Sequence, residues 1–223
     1  MNTSEVYQSL VASIASKKHK GAPLVVGING IDGSGKTTLS KKLGALLKGR
    51  GYSVCCISID NFHYPREHRY RRGENSPEAY YHDSFNCQAF IQGALRPVKE
   101  AQAYPVKCQV KSHDLAEDRA EAVFQDIDEN TIVLLEGVFI FRPDIIPFLG
   151  LKVFVDASFD TILKRVQKRD REIIGSEEKV LKRYRQKYIP GQKLYFKDAD
   201  PLSVADIVID NNDFSAPKIT RSI

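Results

Sequence analysis

The stretch GINGIDGSGKTT, residues 27–38, decides the fold class of this chain. It contains the pattern G-x-x-x-x-G-K-[ST], which runs from Gly30 to Thr37. The apolar run Leu24–Ile28 before it has the composition of a strand, and leucines repeat at helical spacing after it. A glycine-rich turn between a strand and a helix points unpaired backbone N–H groups at one place. The stretch therefore predicts a phosphate-binding loop, the P-loop, at residues 30–37.

The side chains of this loop have distinct roles in nucleotide binding. Lys36 can place its charge on the β- and γ-phosphates, and the Thr37 hydroxyl can join the coordination shell of Mg²⁺. A flexible glycine turn that carries a lysine by chance is the alternative. That alternative does not explain why a strand and a helix flank the loop. The residues expected to bind the nucleotide here are Gly30, Asp32, Gly33, Ser34, Gly35, Lys36, Thr37 and Thr38.

Five apolar runs have the length and composition of buried strands, and helical stretches separate them. They are Leu24–Ile28, Val54–Ile59, Thr131–Leu135, Lys152–Val155 and Asp206–Ile209. This alternation predicts an α/β fold, the three-layer sandwich of P-loop NTPases, in one domain over residues 1–223. We expect an amphipathic helix at about residues 3–19 and a loosely held tail after Asn211. Ligands of such sheets bind beyond the carboxyl ends of the strands.

Two carboxylates follow predicted strands. Asp60 comes directly after the second run, where it can accept a proton from an attacking hydroxyl or hold Mg²⁺ through water. Glu136 ends the third run at a position that can organise Mg²⁺. The alternative for Asp60 is a residue that only caps a helix or loop, and the alternative for Glu136 is a surface glutamate at a strand end. The nearby P-loop favours a functional role for both residues.

Basic residues are concentrated in the predicted helix that carries LKRVQKRDRE. Arg165 and Arg169 are four residues apart and share one helical face. Phosphoryl transfer spreads negative charge over the γ-phosphate oxygens, and a mobile arginine can neutralise it. A solvated basic face is the alternative, since such faces are common. We predict a lid at about residues 165–190 with Arg165 and Arg169 acting in catalysis.

The composition limits the class of protein. The chain has 223 residues, 42% of them hydrophobic, and a net charge of +5, which is too small to require nucleic acid as a partner. Its four cysteines form no C-x-x-C pair, so neither a zinc site nor a disulfide framework is indicated. Cys55 and Cys56 are expected to be core thiols in a reducing compartment. No apolar run is long enough to span a membrane, and we expect a cytoplasmic protein, with a homo-oligomer left open.

Taken together, these motifs resemble a known family. The P-loop is followed by SIDNFH, LLEGVFIFRPD, KRD, YIPGQKLY and ADIVIDN, an order similar to that of the uridine kinase-like branch of P-loop kinases. Pantothenate kinase and phosphoribulokinase are relatives of that branch. The resemblance extends from about Leu24 to Asn211. It implies a parallel five-stranded sheet in the order 2-3-1-4-5, an arginine-bearing lid, ATP as the phosphate donor, and Mg²⁺.

The resemblance also implies roles for individual residues. Asp60 would be the general base for a sugar hydroxyl, and Glu136 would assist Mg²⁺. Arg165 and Arg169 match lid positions that contact substrate and phosphates, and Asn211 would lie near the adenine. The residues expected to bind the acceptor are Asp60, His63, Tyr81, Asp83, His113, Arg169 and Gln192.

The acceptor half of the pattern departs from true uridine kinases. Those enzymes carry an FDHPDAFD-like stretch whose first Asp binds ribose. The corresponding stretch here is AYYHDSFN. Tyr81 falls near the position of the ribose-binding Asp, and Asp83 matches the Asp of the later DAF. Their THSR-like stretch is represented only by His113 in VKSHDLAEDR.

A uridine- or cytidine-type nucleoside is the expected small-molecule acceptor. Pantothenate, nicotinamide riboside or a sugar acid remain alternatives within the kinases. A GTPase would need an N-K-x-D motif, which the sequence lacks. A nucleic-acid-binding ATPase could use the basic loop Arg66–Arg72 and is the remaining alternative outside the kinases.

Overall fold

The computed structural model describes residues 3–222. Its fold is built around a central β-sheet. The strands are β1 Leu24–Gly30, β2 Ser53–Ser58, β3 Val106–Asp114, β4 Arg119–Ile127, β5 Thr131–Gly137, β6 Leu151–Asp156, β7 Ile207–Asp210 and β8 Lys218–Ser222. They form a six-stranded sheet in the order β2-β5-β1-β6-β7-β8 and a separate hairpin of β3 and β4. Strand β8 runs antiparallel to β7, and the other five are parallel. When only the five parallel strands are numbered in chain order, their order in the sheet is 2-3-1-4-5.

Helices cover both faces of the sheet. They are α1 Thr3–Lys17, α2 Lys36–Gly49, α3 Arg66–Arg69, α4 Cys87–Phe90, α5 Arg96–Lys99, α6 Phe159–Arg169, α7 Arg171–Ile174, α8 Glu177–Arg183, α9 Ile189–Ala199 and α10 Pro201–Val204. Short 3₁₀ turns lie at Ile59–Phe62 and Ile146–Phe148. Wider π-helical turns lie at Ala79–Asp83, Ile91–Leu95 and Tyr184–Tyr188. No helix within residues 3–222 is both long and apolar enough to cross a bilayer.

The central strands are buried because hydrophobic layers pack against both of their faces. Every residue of β1 and of β5 is buried. On one side, Leu10 of α1 and Leu43 of α2 pack in a cluster with Ile28. On the other side, a second cluster contains Phe62 and Phe141. Continuous apolar strands covered on both faces are typical of parallel sheets, and the predicted α/β fold is confirmed.

Several details differ from the expectations. The tail after Asn211 is not loose, because β8 pairs with β7 and places Ile219 opposite Ile209. The β3–β4 hairpin was not expected, since most of β4 is exposed and shows no alternation of apolar and polar residues. Cys55 is buried as predicted, but Cys56 is exposed, because successive residues of a strand point to opposite faces.

Candidate active site

The P-loop joins β1 to α2 with a backbone that only glycine tolerates at its last turn. Gly35 precedes α2 with φ of 103°, in the left-handed region. A Cβ atom there would lie 2.6 Å from Nδ2 of Asn211 and 2.7 Å from the ring of Phe214. The loop therefore packs closely against the segment after β7, and the first turn of α2 points its N–H groups at the loop.

Lys36 folds back over this loop. Its side chain is 7% exposed, and Nζ donates a hydrogen bond of 3.0 Å to the backbone oxygen of Ile31. A cavity of about 670 Å³, named here the P-loop cavity, opens beside it. Its lining includes six of the predicted nucleotide-binding residues, namely Asp32, Gly33, Gly35, Lys36, Thr37 and Thr38.

Two predicted nucleotide-binding residues lie behind the cavity wall. Gly30 ends β1, and a Cβ atom on it would lie 2.4 Å from the backbone oxygen of Val155. Ser34 is fully buried, and its backbone oxygen accepts a 2.6 Å hydrogen bond from the amide of Asn211. Asn211 therefore fixes the loop from behind, and it is itself 7% exposed.

Thr37 and Glu136 meet at the carboxyl end of the sheet. The Thr37 hydroxyl lies 3.2 Å from Oε2 of Glu136, although the two residues are 99 positions apart in the chain. Both offer hard oxygen ligands, which suit Mg²⁺. No cluster of three or more metal-binding side chains occurs within residues 3–222. Mg²⁺ is usually bound through one or two carboxylates together with substrate phosphates and water, so Thr37 and Glu136 are the residues that could hold it.

Asp60 lies in the 3₁₀ turn that follows β2 and lines the P-loop cavity together with Lys36. Its side chain is accessible from the cavity, but the surrounding walls displace part of its water. Burial raises the pKa of this carboxyl to about 6, and the charges of Asp32 and Glu136 raise it further than Lys36 and Arg169 lower it. A carboxylate with a pKa near neutrality is suited to proton transfer.

A second cavity of about 400 Å³, the side cavity, lies next to the P-loop cavity. Asp32, Asp60 and Arg169 line both cavities and form part of their common wall. The Tyr80 hydroxyl donates a hydrogen bond to the Asp32 carboxylate from the side cavity. A group bound in the side cavity therefore meets a group bound at the P-loop beside Asp60.

His63 also lines the side cavity. Its Nδ1 lies 2.7 Å from the backbone oxygen of Asp60, and because a carbonyl oxygen only accepts, Nδ1 carries the proton. Burial lowers the pKa of His63 to about 4, so the imidazole is neutral at pH 7 and its Nε2 is an acceptor.

The two predicted lid arginines lie in different surroundings. Arg169 bonds to the Asp170 carboxylate at 2.5 and 3.0 Å and to the Tyr184 hydroxyl at 3.1 Å. Arg165 donates to the backbone oxygen of Asn211 at 2.6 Å, and its guanidinium lies 3.7 Å from the ring centre of Phe214. Arg169 thus lies between the two cavities, whereas Arg165 lies on the side of the P-loop cavity formed by the segment after β7.

Several residues predicted to bind the acceptor are turned away from the side cavity. Tyr81 is 3% exposed, and its hydroxyl donates to the Asp198 carboxylate at 2.6 Å. Asp83 is 2% exposed and accepts hydrogen bonds of 2.6 Å from Arg71 and 2.7 Å from Arg72. Both side chains hold the 63–83 segment in place.

Two further residues that were predicted to bind the acceptor, His113 and Gln192, do not line the side cavity either. His113, in the hairpin, is 4% exposed with Nε2 at 3.1 Å from Asp118. Gln192 is 1% exposed; its oxygen accepts from the Asp32 backbone N–H at 3.1 Å and its amide donates to the Tyr188 backbone at 3.0 Å. Gln192 therefore supports the P-loop from behind.

The sequence interpretation did not identify several residues that line the side cavity. They are Arg69, Tyr70, Tyr80, Arg183, Lys187 and Tyr188. Tyr80 is the immediate neighbour of the predicted Tyr81, and its direction could not be read from the spacing. Arg69 belongs to the basic loop, and Lys187 lies inside the predicted lid. Their closeness in sequence to predicted site residues is the one signal that could have identified them.

Known proteins share this architecture. The family model "Phosphoribulokinase / Uridine kinase family" matches residues 25–212. A uridine kinase of Deinococcus deserti is 27% identical over 201 residues, 88% of this chain and 92% of that protein. Uridine-cytidine kinase B of Dictyostelium discoideum is 29% identical over 155 residues, 68% of this chain and 60% of that protein.

A solved structure of a "possible uridine kinase" from Bacillus stearothermophilus superposes with a TM-score of 0.71. It is 22% identical, and the match covers 91% of this chain and 96% of that one. The likeness shows a common fold. With the family match over most of its length, the chain belongs to the phosphoribulokinase/uridine kinase family and is a P-loop phosphotransferase that acts on hydroxyl groups.

Proposed function

We propose that this protein transfers the γ-phosphate of ATP to the hydroxyl of a small acceptor bound in the side cavity, with Asp60 as the general base. One observation carries the proposal: Asp60 lines both the P-loop cavity and the side cavity. The raised pKa of about 6 supports the role, because such a carboxylate is ionised at pH 7 and still binds a proton readily.

The reaction needs one proton transfer and one displacement at phosphorus. Asp60 takes the proton of the acceptor hydroxyl while the acceptor oxygen forms a bond to the γ-phosphorus. The bond from phosphorus to the bridging oxygen breaks, and ADP leaves with that electron pair. Lys36 and Arg169 supply positive charge to the transferring phosphate from the P-loop and from the common wall.

Thr37 and Glu136 would hold Mg²⁺. Their oxygens lie 3.2 Å apart beside the P-loop, and both are hard ligands of the kind that Mg²⁺ prefers. When bound there, Mg²⁺ supplies charge neutralisation on the phosphate oxygens.

The acceptor class rests on two kinds of observation. The names of the relatives favour a uridine- or cytidine-type nucleoside. Another hydroxylated metabolite is favoured by the orientation of Tyr81 and Asp83, which are bonded to protein groups and do not line the side cavity.

The basic loop supports a small-molecule acceptor over nucleic acid. Arg69 bonds to the Tyr64 backbone and lies 3.4 Å from Asp118. Arg71 and Arg72 both pair with the buried Asp83. Arg69 lines the side cavity, and Arg71 and Arg72, although half-exposed, are paired with an internal carboxylate. These pairings weaken the case for a phosphate-backbone binding surface.

The Asp60→Asn variant tests this proposal. General-base removal costs about 10² to 10⁴ in rate, so turnover should collapse. ATP binding, measured by calorimetry, should hardly change, because the P-loop backbone and Lys36 supply it. Asp126→Asn is the matched control, because this carboxylate lies on the exposed hairpin, where it forms a solvent-exposed ion pair with Lys107.

The alternatives give different results. A metal-holding Asp60 would shift the Mg²⁺ dependence, and a purely structural Asp60 would lower ATP binding or the unfolding temperature together with the rate. Wild-type turnover in Asp60→Asn would refute the mechanism.

A further inference from the structure

Lys187 is an unusual lining residue of the side cavity. Its side chain is only 5% exposed, within the π-helical turn Tyr184–Tyr188. No described residue accepts a hydrogen bond from its ammonium group or forms an ion pair with it. Its contacts are with aromatic faces, where Nζ lies 4.7 Å from the ring centre of Tyr70 and 5.7 Å from that of Tyr188.

Two further cations surround this lysine in the side cavity. Arg183 forms a 2.8 Å ion pair with Glu74, and Arg69 lies 3.4 Å from Asp118. Neither Glu74 nor Asp118 lines the cavity, so the acids lie outside and the cations inside. The acids that do line it, Asp32, Asp60 and Asp170, lie at the wall shared with the P-loop cavity.

A buried charge without a counter-ion is costly, and proteins rarely retain one without a partner. Burial lowers the pKa of Lys187 to about 8; the charge of Arg183 lowers it further, Glu74 opposes this, and Arg69 adds a smaller lowering. The ammonium group is therefore still protonated at pH 7. Within residues 3–222 no carboxylate pairs directly with Lys187, because Glu74, whose charge acts on it from a longer distance, is paired with Arg183. An anion that enters the cavity can supply the missing direct partner.

We infer that the acceptor carries an anionic group, a carboxylate or a phosphate monoester, held by Lys187 together with Arg69 and Arg183 while the reacting hydroxyl meets Asp60. The inference rests on the proposed function and names the substrate class of the same site. Planar arginine forks and a lysine point charge are the groups that bind such anions. A neutral nucleoside would leave Lys187 without a directly bonded anion.

Matched acceptors test the inference. The series glycerol, glycerate and glycerol 3-phosphate, and the series ribitol, ribonate and ribitol 5-phosphate, keep one open-chain polyol and differ at a terminal carbon, which carries a hydroxyl, a carboxylate or a phosphate. Uridine serves as the neutral nucleoside. We expect kcat/KM for at least one anionic member to exceed that of its neutral parent and of uridine by at least about tenfold. The carboxylate and phosphate arms identify which anion the site takes.

The Lys187→Met variant connects the preference to this residue. Removing one partner of a buried charge pair should lower kcat/KM for the preferred anion on the order of 30-fold or more. The neutral acceptors should change little. Lys182→Met is the control, because this lysine lies on the preceding turn, is exposed and does not line the side cavity.

Three results would overturn the inference: neutral members or uridine used as well as the anionic ones, a preference that survives Lys187→Met, or no turnover of any anionic member. The comparison within the wild-type protein does not depend on the folding of a variant. The proposed function has a separate test. Phosphorylation of any acceptor that is lost in Asp60→Asn sustains it even when the anion preference is absent.

Discussion

The two cavities that meet at Asp60 are built in different ways. The stretch from Asp32 to Thr38 supplies much of the lining of the P-loop cavity, and the site depends on backbone N–H groups and one lysine. The side cavity takes only Asp32 from this stretch. Its other walls come from separate segments near residues 60–70, 80–85, 169–174 and 183–188, together with Leu115 and Val138. Local backbone geometry can be recognised in a sequence, whereas the direction of distant side chains cannot.

The largest effect should come from the P-loop cavity. Lys36→Ala removes the only lysine among residues 3–222 that lines it, and we expect turnover to fall to background while the chain stays folded. ADP formation and circular dichroism would be measured side by side. Lys41→Ala is the matched control, since Lys41 is an exposed residue of the same helix. Near-normal turnover in Lys36→Ala would mean that this cavity is not the reactive one.

The pH dependence of turnover tests the role of Asp60, which lies in the wall shared by the two cavities. Asp60 must be ionised to accept a proton, and its pKa is raised to about 6. Turnover should therefore reach its plateau near pH 7 and fall about tenfold per pH unit below pH 6. His63, whose pKa is about 4, stays neutral through this range and adds no second slope above pH 5. A profile that is flat down to pH 5 at saturating substrates would exclude Asp60 as the base.

A smaller effect is expected at the mouth of the P-loop. Glu136→Gln keeps the size of the side chain beside Thr37 but weakens it as a magnesium ligand or orienting group. The Mg²⁺ concentration for half-maximal turnover should rise about tenfold. Glu117→Gln, in the exposed turn between β3 and β4, should leave the magnesium titration unchanged. Identical titrations for both variants would make Glu136 a structural residue.

The smallest effects sharpen the description of the side cavity. Tyr80→Phe removes the hydroxyl that bonds to Asp32, and we expect the KM for the acceptor to rise a few-fold, about the effect of one hydrogen bond. Tyr81→Phe removes the bond to Asp198 outside the cavity and should lower the unfolding temperature by about 2–4 °C with KM unchanged. The reverse pattern would show that Tyr81, not Tyr80, faces the acceptor.

The sequence predicted the parallel sheet and the P-loop because both have strong local signatures. It missed β4, which is mostly exposed, and β8, whose polar sequence KITRS lacks a run of apolar residues. The acceptor residues were placed by resemblance alone. Tyr81 and Gln192 are bonded to residues 117 and 160 positions away, and no local pattern indicates such partners.

The sequence by itself determined the phosphate cradle and the positions of Asp60 and Glu136, because the carboxyl ends of parallel strands meet at one edge of the sheet. Tertiary structure alone decided which side chains form the side cavity. Tyr80 and Lys187 lie in π-helical turns, Ala79–Asp83 and Tyr184–Tyr188, whose wider winding departs from the 3.6-residue spacing used to assign helical faces. Lys187 is buried because Tyr70, more than a hundred residues earlier, packs against it, and no pattern in the sequence records that contact.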